Sequence, residues 1–239
     1  MRHLIFCFAA VSVLAQESTS PTAAKPKPNY DPTNVNLGIG AMLPKHVAWK
    51  PLTMEERQRL FINDTFKNPR SLGGNFIWAV MDMTQGEPEE WRQGAAGFGM
   101  RLASRYGRTM VGNVIQHGSA ALLKTDLRYV RSKSSNPLVR VGNAIWWQFF
   151  TYNQNGKFVF DLPSVGAIYA QEMIGSRWMP NQTITGYALR SANQQMVQGV
   201  VTNIVREFLP DMKRMFKRKG NAAAPPPPAA PPPPPPTGH

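Results

Sequence analysis

The chain has 239 residues, with 27 Lys and Arg against 14 Asp and Glu, a formal net charge of +13. One Cys rules out a disulfide scaffold, and 42 % apolar with 10 % aromatic residues is too much for a wholly disordered chain. Charged residues are only 17 % of the total, so the basic balance reflects scarce acids rather than abundant bases.

In chain order, residues 1–15 place Arg2 and His3 before the apolar run Leu4 to Leu14, ending in Val13-Leu14-Ala15. This is the layout of a secretory signal peptide cut before Gln16, so export to the periplasm, outer membrane or exterior is expected. Cys7 would leave with it. Residues 16–50 are polar and proline-rich and read as a disordered linker. Thr53-Met54-Glu55-Glu56 has the capping-box pattern that opens a helix. The prolines and the apolar periodicity then predict helices over 53–67, 70–84, 88–131, 138–152, 163–178 and 184–209, with a short basic one over 211–218. The 88–131 stretch is glycine-rich, which predicts a break near Gly107 or His117-Gly118. One short strand, Lys157 to Asp161, follows the Asn155-Gly156 turn signal and has no evident partner. Asp161 is placed to cap the next helix. The expected fold is therefore all-α, a compact helical bundle over residues 51–219. Beyond it lies a tail, 220–239, in which Pro225–Pro228 and Pro231–Pro236 can adopt polyproline II. That tail reads as a spacer or as a docking peptide for a protein partner.

Within the bundle, Ala95, Gly99, Ala103 and Gly107 form a small-residue stripe suited to close helix approach, inside the domain or between subunits. Arg101, Arg105 and Arg108 fall on the opposite side of that helix and read as a solvated face. Val197, Val201, Ile204 and Phe208 read as a core-packing stripe, and Trp146 to Tyr152 as buried aromatic core, with a place at a membrane interface as the alternative. No apolar run after residue 15 is long enough for a transmembrane helix.

Chemistry is sparse. There is no HExxH, CxxC, P-loop or GxSxG motif, so no metal and no cofactor are expected. Glu172 and Asp126, in mostly uncharged surroundings, and His117 beside Ser119 are the residues to test for an envelope-modifying hydrolase. Such an enzyme requires them to converge in one pocket. Residues 204–219 hold six bases and two acids, with Lys213, Arg214, Lys217, Arg218 and Lys219 at the end. For an exported chain these suit anionic envelope polymers or lipid headgroups, and not nucleic acid, for which no recognition motif is present.

Several short motifs occur in a shared order. They are Trp91-Arg92-Gln93-Gly94 with Gly97-Phe98-Gly99-Met100-Arg101 and Arg105-Tyr106-Gly107, then Thr125-Asp126-Leu127-Arg128-Tyr129, Gly156 to Asp161, Trp178-Met179-Pro180 and Glu207-Phe208-Leu209-Pro210-Asp211. Across residues 52–216 the chain resembles a family of uncharacterised exported proteins of soil bacteria with GYGKRYG-, DPRYF- and EFWPD-like runs. Leu127 and Leu209 depart from that pattern. The resemblance implies a shared fold and an envelope-associated life, and carries no catalytic role.

Overall fold

The computed structural model describes residues 30–35 and 40–222, without the side chains of residues 70, 185 and 216–222. The signal-peptide segment, residues 16–29 of the linker and the polyproline run lie outside the described residues. All the helices and strands among the described residues belong to the unit that begins at Asp31.

The chain enters through β1 (Met42–Leu43), then α1 (Met54–Ile62), which continues into a wider π-helical turn at Asn63–Lys67. The capping box forms as the sequence suggests: the Thr53 N–H donates to Glu56 at 2.8 Å and the Glu56 N–H donates to Thr53 Oγ1 at 3.2 Å. A second π turn, Arg70–Gly74, leads into α2 (Asn75–Gln85). The long helix α3 (Ala95–Leu122) follows, then β2 (Tyr129–Val130), α4 (Pro137–Phe149), β3 (Phe150–Tyr152), β4 (Phe158–Phe160), α5 (Leu162–Gly175) and α6 (Leu189–Ala222).

The fold is mostly helical, and its strands correct three expectations. β3 and β4 form an antiparallel hairpin with Phe150 opposite Phe160, so the predicted strand has a partner, in residues whose pattern predicts the end of a helix. Gly156, at φ 72°, makes the turn that the Asn-Gly pair signals. Met42 and Leu43 pair in parallel with Tyr129 and Val130, although composition predicts linker for the first pair and helix for the second. Ala41 and Leu43 are buried, so the ordered fold starts well before residue 51.

Two helices run through their predicted breaks. α3 is continuous past Gly107 and Gly118, and of its glycines Gly112 serves packing: a Cβ there would overlap the Gln171 side chain of α5. α6 continues through Pro210, so no separate 211–218 helix exists. Beside the proline, the Glu207 carbonyl accepts from Arg131 Nη2 at 2.6 Å and Arg140 Nη2 at 2.5 Å, which ties that turn to the rest of the fold.

The distribution of polarity is the main surprise. The buried apolar residues are chiefly alanines (Ala41, Ala79, Ala120, Ala144, Ala167, Ala188 and Ala192), with a small cluster around Leu52 and Leu60. Alanine lets helix backbones approach closely but removes little apolar area from water per residue. Large apolar side chains lie outside instead. Val197 and Val201, expected in the core, are 65 % and 55 % exposed, whereas Asn203 and Glu207 of the same helix are buried. Trp146, also expected inside, is 57 % exposed. Arg101 and Arg108, expected in solvent, are buried, Arg101 to 1 % exposure. The physical reason is electrostatic: each of these arginines meets acceptors on a neighbouring element that the local pattern does not show.

Candidate functional site

The interior is held by separate polar centres built from different helices. In the first, Arg108 of α3 meets Glu172 of α5 at 3.0 Å and donates to the Tyr187 hydroxyl at 2.8 Å. Gln195 of α6 donates to the other Glu172 oxygen at 2.5 Å. Burial alone would lower the Arg108 pKa, but Glu172 and Tyr187 outweigh it and hold the guanidinium above its ordinary value.

In the second, Asp126 accepts from Arg128 Nη2 at 2.5 Å and from the Trp49 indole at 2.8 Å. Asp126 and Arg128 are both buried, and the Arg128 N–H also donates to Asp126 Oδ1, so the carboxylate is the hub of a tight turn. The third centre surrounds Glu207, which is fully buried. It accepts from the Tyr129 hydroxyl at 2.8 Å, from Arg140 Nε at 2.9 Å and from the Ser132 N–H at 3.2 Å. Asp211 pairs with Arg140 and, at 3.4 Å, with Arg131. Burial, reinforced by Glu207, raises the Tyr129 phenol well above its usual value, so it stays a proton donor to the carboxylate.

His117 sits elsewhere, with Nε2 at 3.5 Å from Asp64 and its ring 5.4 Å from Phe61. The 3.5 Å separation is the outer limit of a hydrogen bond. Burial would raise the Asp64 carboxyl, but His117 and Asn68 more than offset it and hold it below the usual range.

The three candidate catalytic residues are therefore not brought together. Glu172 belongs to Arg108 and Gln195, Asp126 to Arg128 and Trp49, and His117 to Asp64. A general base must reach a substrate proton within hydrogen-bond distance, and these three side chains are held by different partners rather than aimed at one another. Glu172 and Asp126 do line one cavity of about 1520 Å³ of mixed polar and apolar lining, shared with Arg105, Gln171, Trp147 and Leu189, but His117 is not among its lining. Among the described residues, no three His, Cys, Asp or Glu side chains gather as a metal set.

The arginines on the inner side of α3 also have structural tasks. Arg101 donates to the carbonyls of Glu87, Arg92 and Pro88 at 2.7 to 3.0 Å, tying the α2–α3 connection to the helix. Arg105 makes a two-point pair with Asp82 of α2 at 2.7 and 2.6 Å. The small-residue stripe faces the other way: Ala95, Gly99 and Ala103 are exposed and Gly107 is partly covered by Trp178. Of the anion-binding candidates, Lys213 and Arg214 are exposed on α6, while the side chains of Lys217, Arg218 and Lys219 lie outside the described residues.

Sequence reasoning missed Glu207 as a hub and Tyr129 as its partner. The signal was present in the ordered motifs, because Thr125–Tyr129 and Glu207–Asp211 meet in space through the bond between Tyr129 and Glu207. No helix among the described residues is long and apolar enough to cross a membrane. No known protein family, curated protein or solved structure matches the chain.

Proposed function

We propose that the chain is a non-catalytic, exported, envelope-associated protein that binds an anionic lipid or polymer surface. The observation that carries this reading is the inverted polarity: charged groups pair inside while large apolar side chains such as Trp146, Phe158, Phe160 and Val197 are about half exposed or more. Contiguous exposed apolar surface on a folded chain marks an interaction site. Lys213 and Arg214, exposed near Met212 and Met215 on α6, supply positive charge beside apolar surface. Each basic residue near an anionic leaflet adds about 1 kcal/mol. Export rests on the pattern of residues 1–15, and the resemblance to exported soil-bacterial proteins agrees with it.

The test is co-sedimentation of the mature chain with anionic vesicles and with lipopolysaccharide at rising salt. Binding that weakens as salt screens the charges supports the reading. Absence of binding to either material at low salt overturns it.

A second reading has one specific observation behind it. The Ala95–Ala103 stripe lies on the exposed side of α3, where a second copy could approach closely. Sizing of wild type against a Gly99→Leu variant separates the two readings. A dimer that the substitution dissociates favours assembly through the stripe.

A further inference from the structure

Two apolar faces compete as the contact surface, and charge separates them. One is α2, with Phe76, Ile77, Val80 and Met81 exposed, but it leads directly to the exposed acids Glu87, Glu89 and Glu90. The other is built by α4, the β3–β4 hairpin and the start of α5. Between Pro137 and Ser176 the charged residues are Arg140, Lys157, Asp161 and Glu172, and all but Lys157 are buried. On this face Trp146 packs on Phe150 at 4.8 Å, and Phe150 lies 5.6 Å from Phe158 and 5.9 Å from Phe160. Trp146, Phe158, Phe160 and Leu162 are each about half exposed. Phe158 and Phe160 point to the same side of β4, as the two-residue period requires.

The rim of this face is basic. The Gln154 N–H donates to the Lys124 carbonyl at 2.8 Å, which brings the end of α3, with Leu122 at 84 % exposure, against the hairpin turn. Trp49 packs on Tyr152 at 5.2 Å and brings Lys50 to the same end. Lys50, Lys124 and Lys157 are all exposed there, while Asp126 and Asp161 are buried. Aromatic and leucine side chains flanked by lysine have the composition that settles at a lipid–water boundary, and the exposed acid Glu55 lies beyond Lys50 on α1.

We infer that this face inserts into the interfacial region of an anionic phospholipid bilayer, with Trp146, Phe158 and Phe160 among the acyl chains and Lys50, Lys124 and Lys157 against the headgroups. The inference rests on the envelope reading above and names the surface that reading uses. The seating is shallow and monotopic. The hairpin and the end of α3 enter while the ion-paired interior stays above the boundary.

The test uses the full mature chain with phosphatidylcholine vesicles, with and without phosphatidylglycerol, carrying brominated acyl chains that quench buried tryptophan. Expected are binding strengthened by the anionic lipid, tryptophan quenching in the bound state, and loss of most of that quenching in Trp146→Phe. A Phe158→Ser/Phe160→Ser double variant with an unchanged circular dichroism spectrum should bind about tenfold or more weakly. Should that variant fail to fold, the conservative Trp146→Phe comparison still decides. Binding with the same quenching in wild type and Trp146→Phe would overturn the inference and leave the envelope reading standing. Absence of binding to any vesicle or envelope polymer would remove both. A wild-type dimer that the double variant dissociates assigns the face to a second copy, and that also overturns the inference.

Discussion

A buried carboxylate facing a buried guanidinium is stable only while both are present. Removing water from two ions costs several kcal/mol each, and their attraction offsets this through close geometry and extra donors. Arg108 and Glu172 meet that condition with Tyr187 and Gln195 completing the shell. Glu172→Ala should therefore lose about 3–5 kcal/mol in urea unfolding, because it strands a buried cation. A double Arg108→Met/Glu172→Met variant should lose much less than that single change. Titration offers a second residue-level test. Burial raises the Asp161 carboxyl, although its cap bond to Ser164 pulls the other way. The folded chain thus holds a proton there that the unfolded chain has already released. Stability from this group is full below the unfolded pKa and is lost as pH rises through the folded one. Asp64 and Asp211 behave oppositely. Burial would raise both, but His117 beside Asp64 and Arg140 beside Asp211 outweigh it and lower them. Their contribution is present above the unfolded pKa and lost as pH falls through the folded one. Stability measured from about pH 3 to 7 should lose its acid-side fall in part in Asp64→Asn. It should lose its decline with rising pH in part in Asp161→Asn, where asparagine keeps the cap.

At the scale of the helix, periodicity reports which residues share a face and is silent on which way the face points. Val197 and Val201 do share a side of α6, and Arg101, Arg105 and Arg108 do lie opposite the small-residue stripe. Both groupings were legible. The direction was not, because it depends on Glu172, Asp82 and the Glu87–Arg92 carbonyls, all on other elements. Signals carried by adjacent residues survived intact: the Thr53 capping box, the Asp161 cap and the Gly156 turn. The strand partner of Phe158–Phe160 was hidden in an aromatic run that continues the periodicity of α4, and it is the pairing of Phe150–Tyr152 with Phe158–Phe160 that separates them. The same logic predicts opposite effects for two helical glycines. A Cβ at Gly175 would overlap Cδ and Cγ of Arg108, which is fixed at its far end by Glu172 and Tyr187. Gly175→Ala should therefore cost about 1–3 kcal/mol. Gly99 has no neighbour within 4 Å of such a Cβ. Gly99→Ala should stabilise α3 by about 0.5–1 kcal/mol, because alanine loses less backbone freedom in a helix. Thermal or chemical unfolding of the two variants side by side checks both signs.

For the whole molecule, the four buried acids are matched by five buried arginines, Arg101, Arg108, Arg128, Arg131 and Arg140. Among the described residues the exposed bases outnumber the exposed acids Asp31, Glu55, Glu87, Glu89 and Glu90. Asp126, Asp161, Glu172 and Glu207 are buried, whereas Lys50, Lys124, Lys157, Lys213 and Arg214 are exposed. Attraction to an anionic surface then has two parts that respond differently to salt. The Coulombic part acts through exposed charges and fades as the Debye length shrinks to about 3 Å near 1 M salt. The apolar part comes from area removed from water and is insensitive to screening, or strengthened by kosmotropic salts. If α6 contributes charge and the hairpin face contributes insertion, vesicle binding should fall with added salt and then level off above zero. Lys213→Glu/Arg214→Glu should lower the low-salt arm and leave the plateau. Phe158→Ser/Phe160→Ser should remove the plateau and leave the salt-sensitive arm. A binding curve that falls to zero by about 1 M salt in the wild type would mean that the apolar exterior is covered by something other than lipid.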